Sequence, residues 1–173
     1  MKKMNRKGFT LIELLAVIVV LGLVLLISVP IISDAYTKSK IKSEEVFVDR
    51  LTQAIDSYVK LNSDTMSFSC KSDRCEGRKT ENGKEYDITY QKGVITINDI
   101  IKDGILTQKD FVNAGNKKTT CNTAAEVEVY KDSDFVYCYK IKTNSLNCLT
   151  DAYRETVDRE YAIDTCVWKE NQG

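Results

Sequence analysis

The 173-residue sequence predicts an α+β protein in which a long, hydrophobic N-terminal helix packs on a small antiparallel β-sheet stabilised by disulfides. Three observations support this fold class. An uncharged apolar run, followed by residues with helical periodicity, occupies the chain up to residue 62. Short stretches that alternate apolar and polar residues, as strands do, follow it. Six cysteines, an even number, all lie after residue 69.

The apolar run at residues 14–33 has twenty residues without a charge, enough for a helix to cross a bilayer. Basic residues precede it, so we expect a single span with the N-terminus inside the cell. A secretory signal peptide is an alternative, because Ser33-Asp34-Ala35 has a small-residue pattern that permits cleavage after Ala35. The run is longer than the core of about 7–15 residues in a signal peptide, which counts against that alternative.

Glu13 is the only ionisable residue between positions 9 and 32. A charged group at the centre of a bilayer costs roughly 2.5–3.5 kcal/mol on insertion scales. The run contains no basic residue that could pair with this carboxylate. Neither a plain membrane anchor nor a signal peptide explains a glutamate at this position.

The stretch GFTLIE at residues 8–13 follows a short basic leader and opens the apolar run. In order and spacing it resembles the N-terminal signature of the type IV prepilins. Members of that family also carry a glycine and a proline further along the apolar segment, where both weaken the helix. Gly22 and Pro30 stand at the matching places.

The resemblance implies a division of the chain. Residues 1–8 would be a leader peptide, and residues 9–62 a long helix whose membrane and assembly half covers 9–33. Residues 63–173 would form an exported globular domain of the pilin type.

The resemblance also assigns roles to residues at the start of the chain. A membrane-embedded prepilin peptidase would cut between Gly8 and Phe9, and the new amine of Phe9 would be N-methylated. Glu13 would pair with the Phe9 amine of a neighbouring subunit and act as an assembly determinant. Opposite charges about 4 Å apart attract by roughly 4 kcal/mol at an effective dielectric of about 20. This attraction would offset much of the free-energy cost of burying the glutamate.

The implied function is structural: a subunit of a type IV pilus or of a shorter pseudopilus, with a minor pilin, such as those of Gram-positive bacteria, as one form of it. The implied partners are prepilin peptidase, other pilin subunits and an assembly platform in the membrane. The protein would first span the cell membrane and later stand on the cell surface in an extracellular pilus. The alternative is a competence or secretion pseudopilin whose exported domain binds DNA or a host surface.

The composition bears on other function classes. The chain has no histidine, which removes the commonest general base and the Ser-His and Cys-His nucleophile pairs, so we expect neither an enzyme nor a cofactor. Loss of Lys2, Lys3, Arg6 and Lys7 with the leader lowers the 25 basic residues to 21, against 25 acidic ones. A net charge of −4 makes DNA an unexpected partner, although a local basic patch would reverse that expectation.

The helix is expected to continue beyond the apolar run to Leu61, with a kink at Pro30. Asn62-Ser63-Asp64 would end it. Apolar residues recur in its second half at helical spacing: Ile41, Val48, Leu51, Ile55, Tyr58 and Val59. A coiled coil or stalk is the alternative for this half. The strand patterns downstream favour a helix that packs against a sheet.

Two hairpins are expected in the sheet. In the first, EYDITY at residues 85–90 would pair with VITIN at 94–98 around a turn at Gln91-Lys92-Gly93. In the second, residues 131–134 would form the turn. Each of its strands has one apolar face: Val127 and Val129 in the first strand, and Phe135, Tyr137, Tyr139 and Ile141 in the second.

Shorter elements are expected around these hairpins. Asn98-Asp99 would cap a short helix that breaks at Gly104. Residues 161–168 would form an edge strand near the C-terminus.

The cysteines are expected to form disulfides, because all six lie on the exported side of the membrane segment: Cys70, Cys75, Cys121, Cys138, Cys148 and Cys166. The favoured single pair is Cys70 with Cys75, as a small local loop. The expected second hairpin places Cys138 opposite Val127 and leaves Cys121 and Cys148 beyond its open end, and the remaining pairing stays open among the fifteen connectivities. The alternatives are a zinc site, from the Cys70-x4-Cys75 spacing, and a redox centre.

Overall fold

The computed structural model describes residues 10–70, 75–109, 111–112, 120–157 and 160–170. It contains four helices and six strands within those ranges. The helices are α1 (Leu11–Asn62), α2 (Ile97–Lys102), α3 (Thr143–Leu146) and α4 (Asp151–Arg154). The strands are β1 (Cys75–Glu81), β2 (Lys84–Thr96), β3 (Glu126–Asp132), β4 (Tyr137–Lys142), β5 (Tyr161–Asp164) and β6 (Trp168–Glu170).

The chain divides into two compact units, Met1–Ser39 and Lys40–Gly173, and α1 contributes to both. In the N-terminal unit α1 is helical on both sides of Gly22 and of Pro30. In the C-terminal unit the same helix contributes one face to a hydrophobic core. The helix ends at Asn62, as the sequence predicts.

The buried face of α1 in the C-terminal unit is the one that its periodicity predicts. Val48, Leu51, Ile55 and Val59 are buried, and Ala54 joins them between the predicted positions. Spacings of three and four residues put these side chains on one side of a helix. They share one core with buried residues of the sheet, so this half of α1 packs on a sheet and is not a free stalk.

The six strands form one antiparallel sheet in the order β5-β4-β3-β2-β1-β6, which confirms the predicted α+β class. Its two edge strands, β5 and β6, are joined only by residues 165–167. Such a link reaches at most about 14 Å, whereas the edges of a flat six-stranded sheet lie about 24 Å apart. The sheet is therefore curled. The predicted edge strand at 161–168 is in fact the whole of β5, this link and the first residue of β6.

The two faces of the sheet bury different residues. Val127 and Val129 of β3 and Tyr139 and Ile141 of β4 pack in the core that α1 shares. The other face has a smaller cluster in which buried Tyr130 and Cys138 pack against Ile88, Tyr90 and Cys166. Successive side chains along a strand point to opposite faces of the sheet, so the same strands contribute residues to both clusters.

The predicted first hairpin is wrong. Residues 91–93 do not turn; they continue β2, and they pair with β3. The hairpin instead joins β1 to β2 through Asn82 and Gly83, which have φ of 53° and 75°. Asn-Gly is the residue pair that favours a two-residue turn with two positive φ values. Gly93 allows the Phe68 ring to lie close to the backbone of β2, because a Cβ on this residue would lie 3.2 Å from that ring.

The second hairpin exists, but its predicted register is wrong. Cys138 pairs with Tyr130 and not with Val127. The Asp132 carboxylate accepts hydrogen bonds from the backbone N–H groups of Asp134, at 2.9 Å, and Val136, at 2.8 Å. These bonds extend β3 to Asp132 and move the turn toward the C-terminus. Phe135, predicted to face the core from the second strand, therefore lies in the turn.

The short helix α2 begins two to three residues earlier than predicted. Thr96, and not Asn98-Asp99, precedes its first residue. The backbone N–H and the hydroxyl of Thr96 both donate to the Asp99 carboxylate, at 2.9 and 2.7 Å. The Thr96 side chain accepts in return from the backbone N–H of Asp99, which completes a capping box. The helix ends at Lys102, before Gly104 at φ 75°, where the predicted break lies.

Candidate functional site

The start of α1 holds the only carboxylate of the apolar segment. The Glu13 carboxylate oxygen Oε2 accepts hydrogen bonds from the backbone N–H of Thr10, at 2.8 Å, and from its hydroxyl, at 2.9 Å. In return the Glu13 N–H donates to the Thr10 hydroxyl at 3.4 Å. Gly8 and Phe9, the predicted cleavage and methylation positions, lie outside the described residues.

This arrangement is a capping box, with threonine before the helix and glutamate at its third residue. It was not predicted from the sequence, although the pattern Thr-x-x-Glu before an apolar run is a known signal for it. Both contacts use Oε2 of Glu13. Among the described residues, the second oxygen, Oε1, accepts no hydrogen bond. The capping box thus orients the carboxylate through Oε2 and leaves Oε1 available to accept a hydrogen bond from another group.

The helix after Glu13 presents an apolar surface all round. Leucine, isoleucine and valine side chains described between positions 11 and 32 are 52–82% exposed. The hydroxyl of Ser28 donates to the Val24 carbonyl at 2.9 Å, so this polar group is satisfied inside the helix. A helix of this length and composition can cross a membrane. Such a surface has to be covered by lipid or by other apolar helices.

A family model described as "Prokaryotic N-terminal methylation motif" matches residues 3–29. The N-terminal segment therefore carries a methylation motif, which supports its resemblance to the type IV prepilins. The matched stretch contains Gly8, Phe9, Glu13 and Gly22, and Pro30 follows its last residue. No curated protein and no solved structure matches the chain.

The six cysteines form three disulfides: Cys70–Cys75, Cys121–Cys148 and Cys138–Cys166. The first is the pairing that the short spacing favours. The other two join cysteines that are 27 and 28 residues apart. Cys70 and Cys75 are bonded to each other, so the structure contradicts the zinc alternative, which needs both as thiolates. Over the residues that are described, no group of acidic and cysteine side chains could hold a metal.

Polar contacts tie the second half of α1 to the rest of the C-terminal unit. Glu44 is only 1% exposed, and its two carboxylate oxygens accept from the backbone N–H of Thr150, at 3.0 Å, and from the Thr150 hydroxyl, at 2.7 Å. Glu44 was not singled out from the sequence. Its place four residues before Val48, on the buried face, was the available signal.

A second contact joins α1 to the sheet. The Tyr139 hydroxyl donates to Asp56 at 2.9 Å. Burial raises the pKa of Tyr139, and the Asp56 carboxylate beside it raises that pKa further. The phenol therefore stays protonated over the physiological range and keeps its role as donor. Together with Glu44, this contact fixes how the helix sits on the sheet.

Proposed function

We propose that the protein is a structural subunit of a type IV pilus or pseudopilus, made as a prepilin and assembled through α1. The observation that carries the proposal is the exposed apolar helix that opens with a single oriented carboxylate, inside the matched motif. In the membrane, lipid covers this helix. In a filament, the same helices from neighbouring subunits cover one another.

The proposed processing follows the motif. Prepilin peptidase removes residues 1–8 by cutting between Gly8 and Phe9, and the Phe9 amine is then methylated. The Phe9 amine of an adjoining subunit meets Glu13 at Oε1, the oxygen that the capping box leaves open. Because a carboxylate buried among apolar helices is costly unless a cation pairs with it, this pairing selects one arrangement of subunits. Gly22 and Pro30 supply the weakened part of the helix.

The proposed exported domain is the part after residue 62, held on the helix by the core and by Glu44 and Asp56. It would stand on the outer side of the cell membrane before assembly and on the filament surface afterwards. DNA binding is not favoured, because removal of the leader leaves an excess of acidic residues.

The processing step is tested by the N-terminus of the protein in cells that have a prepilin peptidase. We expect mass spectrometry to find a chain that begins at methylated Phe9. Gly8→Val should block the cut, because a branched side chain is bulky next to the scissile bond. A chain that begins at Tyr36 would show signal-peptidase cleavage and overturn the proposal.

The assembly step is tested with Glu13→Ala. We expect normal membrane insertion but at least tenfold less protein in sheared filaments, because the neighbour's amine loses its partner. Glu45→Ala, which removes a half-buried glutamate from the second half of the same helix, is the control and should assemble normally. Wild-type recovery of the Glu13 variant in filaments would contradict the pairing. Quantitative mass spectrometry of the same filaments gives the copy number, which separates a major from a minor subunit.

A further inference from the structure

A cleft of about 440 Å³ lies at one end of the sheet, where the turn between β3 and β4 faces the Cys70–Cys75 disulfide. Thr89 and Gln91 of β2 line it, together with residues 131–135. Its volume is in the range of about 300–1,000 Å³ that is common for small-molecule sites. The assembly function proposed above makes no use of it.

Phe135 forms part of the cleft and is unusual in two ways. Its side chain is 69% exposed, and its backbone has φ of 61°, the left-handed region that phenylalanine rarely adopts. That conformation costs roughly 1–2 kcal/mol. Two bonds from backbone N–H groups to the Asp132 carboxylate and one from the Phe135 N–H to the Asp132 carbonyl maintain it. Backbone strain that neighbouring bonds enforce is concentrated at functional sites.

Lys131 holds the exposed ring in place. Its ammonium lies 4.2 Å from the centre of the Phe135 ring, and 5.7 and 5.9 Å from the rings of Phe68 and Tyr137. Within the described ranges Lys131 makes no ion pair. The lysine thus fixes one face of Phe135, and its N–H groups remain available to acceptors in the cleft.

The charges of the lining define the class of ligand. Among the described residues of the lining, the one cation, Lys131, and the one anion, Asp132, cancel, so this part of the lining favours neither an acidic nor a basic molecule. Thr89, Gln91 and Ser133 add neutral groups that both donate and accept hydrogen bonds. An exposed aromatic ring beside such groups fits a molecule with hydroxyl groups around its edge and an apolar face. A sugar ring has this character.

We propose that this cleft binds a neutral saccharide. One face of a sugar ring would stack on the face of Phe135 that Lys131 leaves open, while its hydroxyl groups bond to Gln91 and to the free acceptor sites of Asp132. The proposal does not depend on filament assembly, so a variant that fails to assemble can still bind.

Binding is tested on the full chain in phospholipid nanodiscs, since maltoside or glucoside detergents would compete for the cleft. Saturation-transfer difference NMR would be recorded with cellobiose, lactose and N,N′-diacetylchitobiose, each at about 10 mM to detect weak binding. Glucuronate and glucosamine serve as charged probes. We expect transfer to at least one neutral saccharide and none to the charged sugars. Binding of the charged sugars alone, or of no probe, would overturn the proposal.

Two variants locate the site. Phe135→Ala should weaken binding at least tenfold, and Gln91→Ala at least threefold, without lowering the unfolding midpoint, because both side chains are exposed. Val136→Ala is the matched control: it removes an exposed apolar side chain from the same turn, outside the lining of the cleft. Wild-type binding by both cleft variants, or equal loss in the Val136 control, would show that the saccharide binds elsewhere.

Discussion

At the scale of single residues, Glu44 shows how a buried carboxylate becomes part of a fold. Its two oxygens meet the two donors of Thr150, across 106 residues of sequence. Glu44→Ala leaves both donors without an acceptor and opens a cavity, so we expect a loss of about 3 kcal/mol of unfolding free energy. Urea unfolding measures it. Glu45→Ala, at a half-buried neighbour whose carboxylate pairs with exposed Lys42, should change stability by less than about 1 kcal/mol, and an equal effect at both positions would contradict the role of Glu44.

The carboxylate of Glu128 should make the free energy of unfolding depend on pH. Burial raises its pKa, but hydrogen bonds from Lys92 and Tyr130 together outweigh burial and hold the pKa below its usual value. Because the folded state has the lower pKa, its contribution is present above about pH 4.3 and is lost as pH falls through the folded pKa. We expect the urea midpoint of Glu128→Gln to fall less than that of the wild type between about pH 5 and 3. Glu126→Gln, on the same strand, should behave as the wild type.

At the scale of elements, β2 shows why the hairpin prediction failed. A glycine after two polar residues at 91–93 resembles a turn, but Gly93 is there because Phe68 packs where its Cβ would be. That reason is a tertiary contact, and no local pattern contains it. The turn at Asn82-Gly83 had the stronger local signal and was missed. In α1, by contrast, the periodic apolar face was sufficient to predict the helix and its buried side, because core packing and local spacing favour the same helix.

This turn provides a test at the level of the hairpin. Gly83 has φ of 75°, and nothing lies within 4 Å of the position that a Cβ would take. A methyl group there would therefore strain the backbone but would not clash with other atoms. We expect Gly83→Ala to destabilise the domain by roughly 1 kcal/mol in thermal or urea unfolding. Lys84→Ala, at the next exposed position, should have little effect. If Gly83→Ala is neutral, the hairpin does not use this turn.

At the scale of the whole molecule, the N-terminal methylation motif could be predicted from sequence and most of the sheet could not. The motif at residues 3–29 is contiguous, so its residues are recognised together. The placement of Gly8, Phe9 and Glu13 in that motif needed no structure, whereas the Glu44–Thr150 contact joins residues far apart in sequence. The positions of β5 and β6 could not be predicted either, because these strands are neighbours in sequence but occupy opposite edges of the sheet. Their positions follow from the register of every strand between them.

The disulfides constrain this curled sheet to different degrees. Cys138–Cys166 ties β4 to the link between β5 and β6 and closes a loop of 28 residues, whereas Cys70–Cys75 closes one of five. Loop entropy predicts a stabilisation of about 3.5 kcal/mol for the first and about 2 kcal/mol for the second. We therefore expect alanine substitution of both Cys138 and Cys166 to lower the unfolding free energy more than the same change at Cys70 and Cys75. Urea unfolding of the oxidised proteins compares the two double variants directly. The reverse order would mean that the short loop, which borders the proposed saccharide cleft, contributes native contacts beyond its entropy.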